Sequence, residues 1–430
     1  MKLNYKRTIL IGLAFMSISA FWQMYDNVVP LILKNTFGMK ETITGAIMSV
    51  DNIFALFLLP IFGSLSDRVN TKIGKRMPFV LIGTTLACAL LIILPIADNT
   101  SNIVLFVGGL FFVLVSMGTY RSPAVAMMPD LTPKPLRSKA NAIINLMGTV
   151  GGIFTLVMIK LLVDKSDKPN YFPLFIAVGI FMAVSVIVLF FTIKENKLRK
   201  EREELEIAEG LVDDATNEID THAGQKLPAD VFRSLCFLLA SVAFWFIAYN
   251  AVTTAFSRYA VEVWGLEGGG YADCLLVATV AAVISYIPIG SIASKIGRKK
   301  TILIGVALLG ICFFAAGLFK SYSDMMVVFF CIIGFAWAAI SVNSYPMVVE
   351  MSSAGDVGKY TGYYYTFSMT AQVVTPILSG WLMEHYGYET LFPYSVVFCI
   401  LALITMSQVR HGDSKPAKKA SALENLDVDD

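Results

Sequence analysis

The chain has 430 residues, 56% of them hydrophobic and only 15% charged, with a mean hydropathy of +0.67. A soluble domain carries about 25% charged residues, so the composition argues against a water-soluble globule and for a chain that lives in lipid. The formal net charge of +2 is too small for a nucleic-acid binder.

Met1 to Arg7 is basic and precedes an apolar run. The run is too long for a signal peptide and many like it follow, so it is expected to stay as a first helix. A bilayer-spanning helix needs about 20 apolar residues. Apolar runs fall at about 8–33, 42–66, 78–97, 103–128, 139–163 and 172–193, then at about 231–258, 272–293, 301–319, 325–349, 360–383 and 390–408. They predict an all-α membrane protein of twelve transmembrane helices, six on each side of a polar stretch. Period-two alternation, the mark of a membrane β-barrel, is not seen.

The polar stretch 194–229 begins densely charged, "KENKLRKEREELEIAEG", and continues acidic, "LVDDATNEIDTHAGQ". It reads as a short surface helix and a cytoplasmic linker. Expected domains are a first half at 1–193, the linker at 194–229, a second half at 230–409 and a cytoplasmic tail at 410–430, its "DVDD" end disordered. Lys and Arg crowd alternate loops: Arg68, Lys72, Lys75 and Arg76; Lys134, Arg137 and Lys139; Lys295, Arg298, Lys299 and Lys300. By the positive-inside rule both termini are cytoplasmic. The six cysteines fall singly in or beside apolar runs and read as packing residues; the three histidines are scattered and suggest no metal site.

The halves repeat. "GSLSDRVNTKIGKR" at 63–76 matches "GSIASKIGRKK" at 290–300, with Gly63 and Gly290 separated by 227 positions (290 − 63). The same offset carries Gln23, Asp26 and Asn27 onto Asn250, Thr253 and Thr254. Residues at i, i+3 and i+4 share a helix face, so spans 1 and 7 carry matching polar stripes. Repeated six-span units are a known transporter design.

These motifs resemble the major facilitator superfamily, whose signature occupies the loop after the second helix. "SDRVNTKIGKRMPF", "YRSPAVAMMPDLTP", "RSKANAIINLMG" and "NSYPMVVEMSS…GKYTGYYYTFS" resemble the sucrose-transporter and SLC45-like proteins and the glycoside–pentoside–hexuronide:cation symporters. The resemblance implies a sugar transporter, commonly proton-coupled. The positions of the melibiose-type cation acids are apolar here, near Ala55 and Leu59, which argues against a sodium site of that type. The arginine important in plant sucrose carriers aligns near Val125, whereas Arg121 lies about a turn earlier.

Asp51 stands about nine residues into span 2, roughly 14 Å at 1.5 Å per residue. A charge at the bilayer centre costs about 2.5–3.5 kcal/mol on insertion scales. Such a residue faces a cavity, pairs, or takes up a proton; the plainer reading is an Asp51–Asn52 pair bonding to neighbouring helices. Asp26, with Gln23 and Asn27 and beside Trp22 and Tyr25, suits a hydroxylated ligand or is a hydrated acid near the interface. Arg121 is the intramembrane cation that could pair with an acid and release it on protonation, or an arginine in a structural pair. These three form the proton-coupling set, and whether Asp26 or Asp51 carries the proton stays open. Candidate substrate ligands are Gln23, Asp26, Asn27, Tyr120, Asn250, Thr254, Asn343, Tyr364 and Gln372, between halves and bounded by spans 1, 4, 7 and 10. Arg258, ending the span 7 stripe, is expected to snorkel near the outer boundary. Asn141 and Asn145 read as interhelical bonders, and Gly148 with Gly152 as a close-packing pair.

The resemblance makes Asp67, Arg68, Arg76, Asp130, Arg137, Glu350 and Lys359 a gating network, with Asp130 set against Arg137 and Glu350 against Lys359. Span 8 has Ser294 where span 2 has Asp67. A P-loop is absent from the sequence, which argues against ATP-driven transport, and no catalytic grouping points to an enzyme. No cofactor is implied. The expected partners are a small-molecule substrate, protons and the lipid bilayer, with the chain a monomer in the plasma membrane. The rival readings are a proton-driven exporter of amphipathic compounds and a non-transporting receptor or scaffold.

Overall fold

The computed structural model describes residues 3–133, 136–166, 168–208, 228–351 and 357–413. Lys134, most of the linker and the tail after Asp413 lie outside these, as do the side chains of Lys139, Ser294 and Lys359. Helices in chain order are α1 (Tyr5–Asn35), α2 (Glu41–Arg68), α3 (Met77–Leu91), α4 (Ile93–Asn99), α5 (Ile103–Leu131), α6 (Arg137–Leu162), α7 (Phe172–Thr192) and α8 (Glu195–Ala208). They continue as α9 (Ala229–Trp264), α10 (Ala272–Ile296), α11 (Arg298–Gly317), α12 (Met325–Val349), α13 (Val357–Tyr386) and α14 (Leu391–Gln408). Among the described residues eleven helical stretches are long and apolar enough to cross a membrane, α3 and α4 counting as one. Helix α13 takes the place of the expected eleventh span. The all-helical, twelve-span expectation holds, because hydrocarbon offers backbone groups no partner and a helix satisfies its own.

The helix ends follow local chemistry. Asn4 accepts from the Arg7 backbone N–H at 3.1 Å and starts α1; Asn102 does the same for Leu105 at 3.0 Å and starts α5. Buried hydroxyls bond back to carbonyls of their own helices, as Ser17 does to Ala14, Ser116 to Phe112 and Ser185 to Phe181. This keeps polar side chains from standing unpaired in an apolar surround.

The chain sorts into two compact units. The first comprises Met1–Met39, Val50–Val212 and Glu267–Ala272. Its core is α1 against α6 and α7, and α3 against α5 and α7. Thr155 on α6 donates to the Ala20 carbonyl of α1 at 2.9 Å. The closest approach of these two helices is at Gly151, where a Cβ would stand 2.1 Å from the Met16 carbonyl oxygen. Gly148 lies against Phe15 and Ser19, one turn away on the same face. The second unit comprises Lys40–Ser49, Asp213–Leu266 and Asp273–Asp430, with α9 packed on α13 and α14, and α11 on α12 and α14. Helix α2 is thus continuous yet divided between units at Ser49 and Val50.

Candidate functional site

In the first unit α1, α2 and α5 bring the three nominated charges together. Asp26, Asp51 and Arg121 are each half-buried, and the two carboxylates feel one another and the guanidinium electrostatically. Asn52 donates its side-chain N–H to Asp51 Oδ1 at 3.0 Å, a bond between neighbours on α2 rather than to another helix. The Arg121 guanidinium lies over the Trp22 ring, 5.4 Å from its centroid. Asn27 donates to the Gln23 carbonyl at 2.9 Å. Its Oδ1 and the Trp22 indole N–H are buried with no hydrogen-bond partner among the described residues. Gln23 is half-buried and reaches toward Gly152. Tyr25 is buried and stacks on Phe21, so its ring serves packing. Tyr120 has no exposed surface and packs against Gly83 of α3.

In the second unit the α9 stripe is half-buried at Asn250, Thr253 and Thr254. Both threonine hydroxyls donate to the Asn250 carbonyl, at 3.3 and 2.7 Å, leaving the Asn250 side-chain amide buried and unpartnered among the described residues. Next to it Tyr249 stacks on Trp337 of α12, centroids 3.7 Å apart and planes 5° from parallel, with Phe246 edge-on to the same indole. Tyr249 and Trp337 keep some exposed surface. Asn343 and Tyr364 are 2% exposed: the first donates to the Ala339 carbonyl and the second shares a hydrogen bond with Ser344. Their polar atoms are therefore already used inside the helix bundle. Gln372 on α13 is half-buried.

Arg258 does not snorkel. It is 1% exposed and its Nε lies 3.0 Å from Glu41 Oε2; Tyr388 donates to the other oxygen of the same carboxylate. The nearest acid in space is 217 positions away in the chain (258 − 41), so the sequence offered only the apolar run around Arg258 and the boundary beyond it.

The gating residues form two separate networks. In the first unit Arg76, 4% exposed, pairs with Asp67 at 2.5 Å and Asp130 at 2.8 Å and donates to the Gly63 carbonyl and Ser66. Lys75 adds a 3.0 Å contact to Asp130. Arg137 donates to the Thr132 carbonyl at 3.3 Å, and Arg68 is exposed. In the second unit Glu350 pairs with Arg298. Each network has a further acid that the sequence reading passed over. Glu195, 1% exposed, accepts the backbone N–H groups of Lys75, Arg76 and Met77 at 2.8 to 3.1 Å, which caps α3. Asp413 accepts the Lys299 N–H at 2.8 Å at the start of α11. The residue ahead of each capped turn is a glycine with positive φ, Gly74 at 129° and Gly297 at 94°, where a side chain would also press on the capping carboxylate.

A family model of the Major Facilitator Superfamily matches residues 11–287 and 274–426. The chain belongs to this superfamily. It is 26% identical over 189 residues to Proton-associated sugar transporter A of Rattus norvegicus, a match covering 40% of this chain and 25% of that one. It therefore aligns with about a quarter of that relative's length. It is 20% identical over 434 residues to Multidrug resistance protein MdtG of Salmonella schwarzengrund, covering 98% of both. Among solved structures, the inward-open xylose transporter XylE of E. coli superposes with a TM-score of 0.65 at 14% identity over 98% of both chains. As a member of the superfamily the chain is a multi-pass membrane transporter. Arg76 and Arg298 anchor the two loops of the internal repeat, and Glu195 and Asp413, just past the sixth and twelfth spans, accept backbone N–H groups at the helix start that follows each loop.

Proposed function

We propose that this transporter couples uptake of a sugar, an oligosaccharide or glucoside, to protons by alternating access. One observation carries the reading: within the first unit two carboxylates and one guanidinium act on one another at half-buried positions of α1, α2 and α5. With Asp26 and Asp51 both ionised, the trio carries one net negative charge inside the membrane. One proton removes it, leaving a neutral acid and an Asp–Arg pair. A charge in hydrocarbon is costly, so protonation changes the energy of the site and can bias which side it faces, provided the two facings bind the proton unequally.

The sugar part rests, within each unit by itself, on buried polar groups without a hydrogen-bond partner among the described residues and on partly exposed aromatic rings. Asn27 Oδ1 and the Trp22 N–H in the first unit, and the Asn250 amide in the second, have no hydrogen-bond partner among the described residues; taken by itself, the second unit also offers the flat apolar face of the Tyr249–Trp337 stack. Hydroxyls meet the polar groups and the C–H face of a sugar ring the stack. The likeness to Proton-associated sugar transporter A points the same way. The Lys and Arg distribution places both termini in the cytoplasm, and the chain works as a monomer in the plasma membrane. The alternative, proton-driven export of amphipathic compounds, has in its favour the likeness to MdtG along nearly the whole of both chains.

The test uses purified protein in liposomes holding a pH dye, without a membrane potential, and a panel of disaccharides, glucosides and monosaccharides. Acidification on adding one sugar, lost in Asp51→Asn or in Asp26→Asn, is the expected result and names the proton carrier. Silence across the panel with folded, oriented protein overturns the sugar–proton reading and favours export.

A further inference from the structure

A cavity of about 210 Å³ lies in the first unit, where the start of α1, the turn between α5 and α6 and the helix α8 come together. Arg7 and Asn4 of α1 belong to its polar wall; Ile11, Leu131, Leu136 and Leu205 make an apolar one. Among the described residues no acidic side chain lines it, and the first turn of α1 holds none. Positive charge in a first helical turn is unfavourable, yet Lys6 and Arg7 both stand in this one.

The walls are held by their own bonds. Asn4 Oδ1 accepts the Arg7 backbone N–H at 3.1 Å, and the Asn4 carbonyl accepts the Thr8 hydroxyl at 3.1 Å. Arg137 donates to the Thr132 carbonyl at 3.3 Å and so pins the α5–α6 turn. The Arg7 guanidinium is the group with capacity to spare. It has five N–H donors, and it meets Glu201 of α8 at 3.5 Å, a carboxylate that Lys197 also approaches at 3.9 Å. The Arg7 and Glu201 side chains are 31% and 37% exposed, and an ion pair that open contributes little.

These features together describe a ligand. The cation and the lack of lining acids call for an anion. The apolar wall, with Leu205 left half exposed, calls for hydrocarbon beside it. The volume is below the roughly 300–1,000 Å³ of a site that encloses a drug-sized molecule, so it takes a headgroup and leaves long chains outside. The Lys and Arg distribution puts this end of the unit at the cytoplasmic leaflet, where anionic lipids attract basic segments.

We propose that the cavity seats the headgroup of an anionic glycerophospholipid, with the phosphate on Arg7 and the acyl chains leaving past Leu136 and Leu205. The lipid supplies the negative charge that the start of α1 lacks and ties α1 to α8 and to the α5–α6 turn. The seat is separate from the proton-coupling groups: Arg7 and Asp26 are 19 positions apart on one helix (26 − 7), about 28 Å at 1.5 Å per residue.

The test titrates the purified full chain in detergent with dioleoylphosphatidylglycerol and reads the tightest-bound lipid by native mass spectrometry. Dioleoylphosphatidylcholine has the same chains without net charge; glycerol 3-phosphate has the anion without chains. Phosphatidylglycerol is expected to bind more tightly than phosphatidylcholine, and glycerol 3-phosphate is expected not to displace it. Arg7→Gln should weaken its binding about fivefold, which corresponds to about 1 kcal/mol, the size expected for one basic side chain at a lipid surface. Lys197→Gln removes the same charge and the other contact to Glu201 but lies outside the cavity, and should change binding less than twofold. Leu205→Gln, at a half-exposed position on α8, should weaken binding at least twofold with no change in charge, and it decides alone if Arg7→Gln does not fold. Equal binding of the two lipids, equal effects of Arg7→Gln and Lys197→Gln, or unchanged binding in Leu205→Gln overturns the seat; displacement by glycerol 3-phosphate assigns the cavity to a free phosphate and overturns the lipid. The readout involves neither sugar nor proton movement, so its failure is distinct from failure of the sugar–proton reading.

Discussion

Glu195→Gln tests whether one side chain holds the start of α3. The carboxylate meets the N–H groups of Lys75 and Arg76 with Oε1 and those of Arg76 and Met77 with Oε2. An amide keeps one of these oxygens and turns an NH2 donor toward donors on the other side. At least one buried N–H loses its acceptor, at about 1–3 kcal/mol. Loss of the negative charge at a helix N-terminus adds about 0.3–1 kcal/mol, more when partly buried. The sum is about 1.3–4 kcal/mol. For a unit of this size, each kcal/mol moves the melting temperature about 2–4 °C, so the variant should melt roughly 3–16 °C lower. Asp413→Asn is the matched control: its carboxylate is exposed and takes one backbone N–H, from Lys299, so about 1 kcal/mol or less is expected. Both are measured in detergent by intrinsic fluorescence at one scan rate, because large chains unfold irreversibly and apparent midpoints depend on the scan. Equal small shifts in the two variants would refute the capping argument.

Arg258→Met should destabilise the protein by about 3–5 kcal/mol, since it leaves Glu41 charged and buried; adding Glu41→Gln to that variant should recover most of the loss in the same melting assay. Gly151→Ala should lower the melting temperature, at about 1–3 kcal/mol for overpacking, because its Cβ would stand 2.1 Å from the Met16 carbonyl. Gly108→Ala, with nothing within 4 Å of the added carbon, should raise it by the helix propensity gain of about 1 kcal/mol. The pH dependence has a defined sign in the first unit. Tyr171 and Tyr271, just outside the spans, have hydroxyls held above the ordinary value of 10.0, first by burial and then by neighbouring acidic groups: Asp98 and Asp164 for Tyr171, and Tyr171 itself for Tyr271. A pKa raised on folding gives stability that is complete below the unfolded value and lost as pH climbs past it. Melting temperature should therefore fall above about pH 10, and Tyr171→Phe should flatten that fall; an unchanged slope would remove the tyrosine explanation.

What the sequence made legible depends on contrast. Asp26, Asp51 and Arg121 stand out because each interrupts an apolar run, and the structure brings all three into electrostatic reach. Glu195 has no such contrast: it opens a run crowded with Lys, Arg and Glu, where a buried cap and a solvated charge look alike. Tyr120, Asn343 and Tyr364 show the reverse ambiguity: all three are buried in this structure. Polar atoms in a span suggest a ligand, but helix carbonyls and neighbouring hydroxyls can absorb them, as they do for Asn343 and Tyr364.

The repeat itself held more than a fixed offset could extract. An offset of 227 carries Asp130 onto Val357 and Glu195 onto Ala422, neither of which can pair or cap. The structural counterparts are Glu350 and Asp413, a few residues earlier. The first loop is longer than the second, and the surplus is taken up by the turn from Thr71 to Gly74, closed by mutual backbone hydrogen bonds and by the Thr71 hydroxyl. Beyond that turn the register shortens, so Gly74 answers to Gly297, Arg76 to Arg298, Asp130 to Glu350 and Glu195 to Asp413. Both units thus solve one local problem, unsatisfied N–H groups at a helix start beside an arginine, with similar parts. By sequence the second has Ser294 in place of Asp67 and no residue in place of Lys75, so its arginine network has one acid fewer to break. If the two networks oppose motion in proportion to their acids, Asp67→Asn should weaken the first toward the second and Ser294→Asp should strengthen the second toward the first, so that each narrows the difference. The relative stability of the two units in those variants, followed by proteolysis of each, measures that asymmetry; no change in either variant would mean that Arg76 is held by Asp130 alone.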